Sequence, residues 1–167
     1  RKIGADIALN LHAAGRIHSP WIHCTDADVR LPPDYFFRPE DWAAAPEVAA
    51  LVYAFYHDYD PDPQVAEAMD YYESYLRYYV FGLDYAGSPY AFHTIGSLIT
   101  VRAEAYAQVR GFPKKNAGED FYILNKLAKV GTVIRAVGSP IRVQGRTSDR
   151  VPFGTGRALS QIVSKMA

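Results

Sequence analysis

The sequence predicts an α/β domain in which helices flank an open sheet. Helix-like and strand-like segments alternate along the chain, which is typical of this class. One strand-like segment, residues 21–25, runs directly into two carboxylates, Asp26 and Asp28, and the carboxyl ends of strands are where open sheets bind ligands. With 167 residues, 49% of them hydrophobic, the chain is long enough for one core, so we expect a single domain over residues 1–167.

Charge and cysteine content exclude several classes of protein. Lys+Arg and Asp+Glu number 18 each, so no net field attracts nucleic acid or anionic lipid. The single cysteine, Cys24, excludes an internal disulfide framework and suits a reducing compartment. No apolar run is long enough to span a bilayer, and no signal peptide is visible. We therefore expect a cytoplasmic protein, and the helical pattern that starts beside Arg1 predicts that the chain is part of a longer polypeptide.

The first elements read as half of a β-α-β crossover. Apolar residues at helical spacing predict a helix over residues 2–14, with Gly15 as its stop; they are Ile3, Ile7, Leu11 and Ala14. The strand over residues 21–25 follows, and the strand that would precede the helix is missing. A short helical or looped piece over residues 34–42 leads to a second strand at 49–56.

A long helix is predicted over residues 63–83, opened by Pro63. It carries an aromatic stripe at spacings of three and four: Ala68, Tyr71, Tyr72, Tyr75, Tyr78, Tyr79 and Gly82. The spacing favours the packed face of the helix. The alternative is a platform on which sugar rings stack.

The second half of the chain alternates again. A strand over 91–102 contains Gly96 and Ser97, and glycine inside a strand often marks the close approach of a ligand. The remaining predicted elements are a helix at 104–110, a helix that follows Glu119 and Asp120 and ends at Gly131, strands at 132–137 and 140–144, a basic glycine-rich loop at 145–156 and a helix from Arg157.

Two acidic pairs stand at element boundaries. Asp26 and Asp28 project to the same side if the chain there is extended, and together they suit a hard divalent cation, although a solvated turn is the simpler explanation. Glu119 and Asp120 stand at a helix N-terminus, where the free N–H groups stabilise negative charge. They are either capping residues or, since such a carboxylate stays ionised, a general base.

Together these motifs resemble a family 2 glycosyltransferase of the GT-A fold, and the resemblance covers most of residues 1–145. The features that carry it are the helix over 4–15, the Asp26-x-Asp28 motif with Pro32, the strand from Gly96–Ser97 to Arg102, the turn at 109–112 and Gly118-Glu119-Asp120.

The resemblance implies a GT-A-like, Rossmann-related mixed sheet flanked by helices and lacking the first strand–helix repeats. In the family those repeats hold the nucleotide base. Residues 1–167 would then form the C-terminal, metal- and acceptor-binding portion of a GT-A glycosyltransferase domain. Residues 1–167 by themselves are expected to bind free donor poorly. An absence of transfer activity in this portion alone would agree with that expectation.

The resemblance also implies roles for the acidic residues. Asp28 is the expected ligand of Mg²⁺ or Mn²⁺, and Asp26 is expected nearer the ribose of a nucleotide-diphospho-sugar. Asp120 is the expected general base for the acceptor hydroxyl, and Glu119 would position the acceptor or support the base. The reaction implied is an inverting, metal-dependent transfer to a carbohydrate or lipid-linked acceptor.

Other candidates surround these acids. We expect Gly96, Ser97, Arg146 and Arg150 to contact the donor diphosphate, because arginine forks and backbone N–H groups suit phosphate oxygens. For the two arginines, a place in a lid over the site is the alternative. An ordinary surface loop with solvated arginines explains the last two equally well. His93 is a candidate for the acceptor cleft. No nucleophile of the Ser/His/Asp or Cys/His type is supported.

Several alternatives remain open at this point. One is a nucleotidyltransferase-like enzyme with the same fold, and another is a non-catalytic GT-A domain that binds a sugar or a partner protein. The Gln-x-x-Arg-Trp signature of processive synthases is missing, with Gln144-Gly145-Arg146-Thr147 in a comparable place, so a processive enzyme is disfavoured. An exposed sheet edge predicts self-association. A peripheral location at the inner face of a membrane is compatible with these features.

Overall fold

The computed structural model describes residues 1–58, 62–115, 118–147 and 154–166. In those ranges four strands form one mixed sheet between helices, which confirms the predicted α/β class. The strands are β1 (Trp21–Cys24), β2 (Val48–Asp58), β3 (Ile99–Arg102) and β4 (Thr132–Gln144). The helices are α1 (Lys2–Ala13), α2 (Pro63–Tyr85), α3 (Ala103–Gln108), α4 (Glu119–Leu127) and α5 (Thr155–Met166). None of them combines the length and hydropathy needed to cross a membrane.

The strand order β1-β3-β2-β4 determines where the loops meet. Strand β3 pairs antiparallel with both β1 and β2, whereas β2 pairs parallel with β4. Strands β1, β2 and β4 therefore point the same way. Their last residues, Cys24, Asp58 and Gln144, lie at one edge of the sheet, which we call the carboxyl edge, and β3 begins at that edge because Ile99 faces Cys24.

The sheet has an apolar core on each face. Strand β2 shows why, because its side chains alternate between the two clusters. Ala50 and Val52 pack with residues of α1, α3 and α4, and Leu51 and Tyr53 pack with the layer that includes Trp21. Burial on both faces explains why β2 reads as a continuous apolar run.

Two strand predictions were wrong in their extent. Of the predicted strand over 91–102, only Ile99–Arg102 belongs to a strand, and Gly96–Leu98 forms a 3-10 turn. The chain after Cys24 leaves the sheet, so residues before Ile99 have no strand to pair with. The two predicted strands at the end are instead one strand, β4, with a break in register at Gly138, whose φ is +136°.

The helices bury faces other than the ones that their aromatic and branched residues suggest. Helix α1 packs through Ala5, Ala8 and Leu9, while Ile3 and Ile7 are 78% and 54% exposed. The prediction that the aromatic stripe of α2 is its packed face was wrong for Tyr71, Tyr75, Tyr78 and Tyr79, which are exposed; Ala68 and Tyr72 of the stripe do pack. The buried residues of α2 are Val65, Ala68, Met69 and Val80. Val65, Ala68 and Met69 pack with Leu159 of α5, and Tyr72 is partly buried beside them.

A buried arginine organises the loop that leads into β2. Arg102 donates to the carbonyl oxygens of Trp42 at 2.6 Å, Val48 at 2.8 Å and Ala45 at 2.9 Å. Its guanidinium also stacks over the Trp21 ring at 4.3 Å. These contacts satisfy carbonyl groups that would otherwise be buried without a donor.

Burial suppresses the ionisation of two side chains of β1, Cys24 and His23. Cys24 is 4% exposed, and burial raises the pKa of its thiol to about 11, so the prediction that it is buried is confirmed. His23 Nδ1 lies 3.2 Å from Thr100 Oγ1, and burial lowers the pKa of this histidine to about 4. Neither residue therefore offers a nucleophile or a proton shuttle at neutral pH.

A polar network fastens α2 to the sheet. The carboxylate of Glu73 accepts from the backbone N–H of His57 at 2.6 Å, lies 2.8 Å from His57 Nδ1 and accepts from Arg77 Nη1 at 2.6 Å. Arg77 also donates to the carbonyl oxygen of Phe55 at 3.2 Å. Burial would raise the pKa of Glu73, but the hydrogen bonds from His57 and the charge of Arg77 outweigh it, and the pKa is lowered.

We predict that Glu73→Gln destabilises the fold by about 1–3 kcal/mol, because it weakens the acceptor of a buried N–H. Since folding lowers the pKa of Glu73, its contribution is present above the pKa of an unfolded glutamate and is lost as the pH falls through the folded value. Urea unfolding at pH 7 measures the effect. The matched control is Glu67→Gln, at an exposed position of the same helix. Equal unfolding free energies for the two variants would contradict the prediction.

Candidate functional site

The carboxyl edge gathers the side chains that the sequence singles out. Asp26 and Asp28 follow β1, Ser97 lies in the 3-10 turn that leads into β3, and Arg146 follows β4. A cleft of about 290 Å³ opens between them, lined by these four residues and by the start of α5. Ser97 is buried at its floor. Strands that end together thus place residues from distant parts of the chain in one cleft.

Arg1 joins the two acidic pairs. Its guanidinium donates to Asp26 Oδ1 at 2.8 Å and to Glu119 Oε1 at 2.5 Å. The side chain is only 19% exposed. Burial would lower the pKa of Arg1, but the negative charges of Asp26 and Glu119 outweigh it, and the pKa is raised. Arg1 is therefore a permanent cation that connects the end of β1 to the start of α4.

Gly96 makes room for this arginine. A Cβ atom at position 96 would lie 2.2 Å from Nη1 of Arg1. Any side chain at this position therefore has to displace the guanidinium. The structure thus places Gly96 against the cation that connects the acids, and Ser97 beside it in the cleft.

The two carboxylates at the start of α4 have different surroundings. Glu119 is held by Arg1, whereas Asp120 accepts a hydrogen bond from the backbone N–H of Phe121 at 2.8 Å and has no ion pair among the described residues. Burial and then the charge of Glu119 raise the pKa of Asp120 above that of an ordinary aspartate. A partly desolvated carboxylate without a cation partner is suited to accept a proton.

Asp28 is paired with a different arginine. Arg146 Nη2 donates to Asp28 Oδ2 at 2.8 Å, and both side chains remain partly exposed. Arg146 thus lies beside the Asp26-x-Asp28 motif. Arg150, predicted with it, lies outside the described residues.

The donor atoms of Asp26 and Asp28 fit Mg²⁺ or Mn²⁺, since both cations prefer carboxylate oxygen. In the described ranges, however, no three His, Cys, Asp or Glu side chains come together as a ligand set. A cation here would take one or two protein carboxylates and complete its shell with water and ligand oxygens, which is how Mg²⁺ is commonly held beside phosphate groups.

His93 lies in a different cleft, of about 380 Å³, which shares no lining residue with the first. Its ring contacts Phe55 edge-on, with 5.0 Å between centroids. Burial lowers the pKa of His93, and the positive charges of Arg77 and Arg135 lower it further. The structure therefore does not bring His93 together with the acids of the carboxyl edge.

The sequence interpretation missed Arg1. A single arginine 25 positions before Asp26 belongs to no motif, and no spacing rule predicts that it pairs with Asp26 and Glu119. The one signal that pointed to it was indirect. Gly96 was expected to mark the close approach of a ligand, and the group that approaches it is this guanidinium.

A family model described as glycosyl transferase family group 2 matches residues 21–161 of the chain. The match takes in both acidic pairs, Ser97 and Arg146, whereas Arg1 lies before its first residue. A comparison with curated proteins finds no match.

We predict that Glu119→Gln lowers the pKa of Asp120. The change removes the neighbouring negative charge and leaves Arg1 with one fewer carboxylate to neutralise, so the ionised form of Asp120 is favoured. A ¹³C NMR titration of the aspartate carboxyl groups measures the shift. The control is Glu40→Gln, at an exposed position that is distant in sequence from Asp120. An unchanged or higher pKa for Asp120 in Glu119→Gln would contradict the arrangement.

Proposed function

Because the chain belongs to glycosyl transferase family group 2, we propose that it moves a sugar from a nucleotide-diphospho-sugar to an acceptor hydroxyl, with inversion and with a divalent cation. The family supports glycosyl transfer between a donor and an acceptor in general. The observation that carries the finer proposal is the pair of contacts made by Arg1, which brings Glu119 and Asp120 to the same edge as Asp26 and Asp28.

We assign the base to Asp120. The acceptor oxygen attacks the anomeric carbon, its proton passes to the Asp120 carboxylate, and the bond from that carbon to the diphosphate breaks. The electron pair of that bond leaves with the nucleoside diphosphate. Attack from the side opposite the leaving group gives inversion. The burial that raises the pKa of Asp120 also makes its carboxylate a better proton acceptor.

We assign the diphosphate end of the donor to the cleft beside Asp28. Asp28 and Asp26 are the residues that would hold the cation, and when bound it would supply charge neutralisation for the departing diphosphate. Ser97 and Arg146 line the same cleft and offer hydrogen bonds to phosphate oxygens. Glu119 acts through Arg1, as a positioning residue for the acids on either side.

Three further points belong to this proposal. The transferred sugar is a hexose, as the resemblance to the family implies. Self-association would use the free edge of β1, which pairs on one side with β3 and faces a groove of about 380 Å³ on the side of α1. A location in the cytoplasm, or at the inner face of a membrane, rests on the cysteine content and the composition.

We predict that Asp120→Asn lowers kcat by roughly 10²–10⁴-fold, because the acceptor proton loses its base. Binding of nucleotide with Mn²⁺ should stay within a factor of about two, since the variant leaves Asp26 and Asp28 unchanged. Donor turnover by the full natural chain and calorimetry measure the two effects. Asp41→Asn, at an exposed position outside the site, is the control. Substantial transfer by Asp120→Asn would overturn the assignment of the base.

We predict that Asp28→Asn removes the part of nucleotide binding that depends on the cation. The test is calorimetric titration of UDP, GDP and dTDP into the full natural chain, with and without Mn²⁺. Wild-type protein should bind one of them in a saturable, Mn²⁺-dependent manner. The variant should lose the Mn²⁺ dependence, although Arg146, now without its carboxylate partner, still attracts phosphate. If none of the three nucleotides binds the wild-type chain, the donor proposal fails and a non-catalytic role is favoured.

A further inference from the structure

The exposed aromatic face of α2 consists of Tyr71, Tyr75, Tyr78, Tyr79, Phe81 and Tyr85. Their side chains are between 54% exposed for Tyr79 and 89% exposed for Tyr85. The opposite side of the helix supplies the packing against the sheet and α5. A contiguous exposed face with this many rings is unusual for a surface that only meets water, and it marks a binding surface.

The face is long and straight. Tyr71, Tyr75, Tyr78 and Tyr85 follow one another at helical spacing and form a line of about 20 Å at 1.5 Å of rise per residue. Gly82 lies in the same line, between Tyr78 and Tyr85, and nothing lies within 4 Å of where its Cβ would be. The surface is thus shaped for an extended partner rather than for a single small molecule.

One end of the face reaches the candidate site. Tyr72 stands between the aromatic face and the carboxyl edge, and its hydroxyl accepts from Thr155 Oγ1 at 3.5 Å. Burial raises the pKa of Tyr72, and the charges of Asp120 and Tyr75 raise it further. Thr155 also lines the cleft at the carboxyl edge, so the contact with Tyr72 joins α2 to the candidate site.

The charges on α2 disfavour anionic partners. The exposed charged residues on the helix are Glu67, Asp70, Arg77 and Asp84. Arg77, the one cation on the helix, is paired with Glu73, and Asp84 is paired with Arg135 of β4. A membrane of anionic lipid or a nucleic acid would require an excess of Lys and Arg on the surface that it meets. A neutral partner fits this helix better.

The chemistry of the rings favours carbohydrate. Five of the six side chains are tyrosines, which combine an apolar ring face with a hydroxyl group. A pyranose ring has the complementary pattern, with an apolar C–H face and a rim of hydroxyl groups. Stacking with hydrogen bonding at the rim can repeat along a chain of sugars, as the rings repeat along the helix.

We propose that the aromatic face of α2 binds the acceptor, and that this acceptor is a neutral glycan chain whose terminal hydroxyl reaches Asp120 past Tyr72. The inference rests on the proposed function and specifies its acceptor class. Sugars remote from the reacting end would stack on the rings. Their binding energy would hold the terminal sugar near the base.

The test measures binding of cellohexaose, chitohexaose and maltohexaose to the full natural chain by calorimetry, with glucose and N-acetylglucosamine as short controls. At least one hexasaccharide should bind, and the single sugars at least tenfold more weakly. Tyr75→Ala and Tyr78→Ala should each weaken binding on the order of threefold to tenfold, whereas Tyr78→Phe, which keeps the ring, should recover most of it. Phe37→Ala, which removes an exposed ring outside α2, is the matched control and should change nothing.

Three outcomes would overturn the proposal: no binding of any hexasaccharide, equal binding by wild type and both alanine variants, or a loss that Tyr78→Phe fails to recover.

Flotation with phosphatidylethanolamine–phosphatidylglycerol vesicles tests the competing partner, a lipid membrane. Vesicle binding that disappears in Tyr75→Ala and Tyr78→Ala, without glycan binding, would assign the face to a membrane instead. Mn²⁺-dependent nucleotide binding is measured in the same variants. If it persists while glycan binding is absent, the acceptor inference alone fails, and if no nucleotide binds even wild type, the proposed function fails.

Discussion

The direction of β3 is the constraint on which the rest of the structure depends. Because this strand runs against both of its neighbours, β1 and β2 must point the same way, and β4 follows β2 in parallel. The loops that follow β1, β2 and β4 and the turn that precedes β3 then meet at the carboxyl edge. A parallel β3 would move Gly96 and Ser97 to the opposite end of the sheet, away from Asp26 and Asp28. The buried contacts of Arg102, at the far end of β3, hold the strand in this position.

The acidic residues at the carboxyl edge differ in whether they are paired with an arginine. Asp26 and Glu119 share Arg1, and Asp28 is paired with Arg146, so three of the four carboxylates are held by an arginine. Asp120 is the one without an ion pair in the described part of the chain, and burial raises its pKa. Groups that are held suit binding and positioning, whereas a carboxylate that is partly desolvated suits proton transfer. Differences in surroundings thus place four chemically similar side chains in two kinds of electrostatic environment.

The sequence predicted those parts of the fold that local chemistry determines. Strand β1 was recognisable because a run of strand-forming residues ends abruptly at Asp26, and α2 because Pro63 suits the first turn of a helix. Its packed face was not predictable, because apolar residues recur at helical spacing on two sides of the helix, and only tertiary contact with α5 selects the aliphatic side. The turn at Gly96–Leu98 looked like strand because pairing depends on a partner that no local pattern reveals. Arg1 was missed for the same reason, since its partners are 25 and 118 positions away.

The burial of Cys24 has a practical consequence for studying motion in this protein. The chain of 167 residues has one thiol, which is 4% exposed and, with a pKa of about 11, protonated at neutral pH. Maleimide reagents react with exposed thiolates, so Cys24 is not labelled in the folded state. Two cysteines, one introduced on the solvent side of α1 and one on that of α5, would carry a pair of fluorophores or spin labels without labelling of Cys24. Distance changes across the carboxyl edge can then be followed without first removing a side chain from the core.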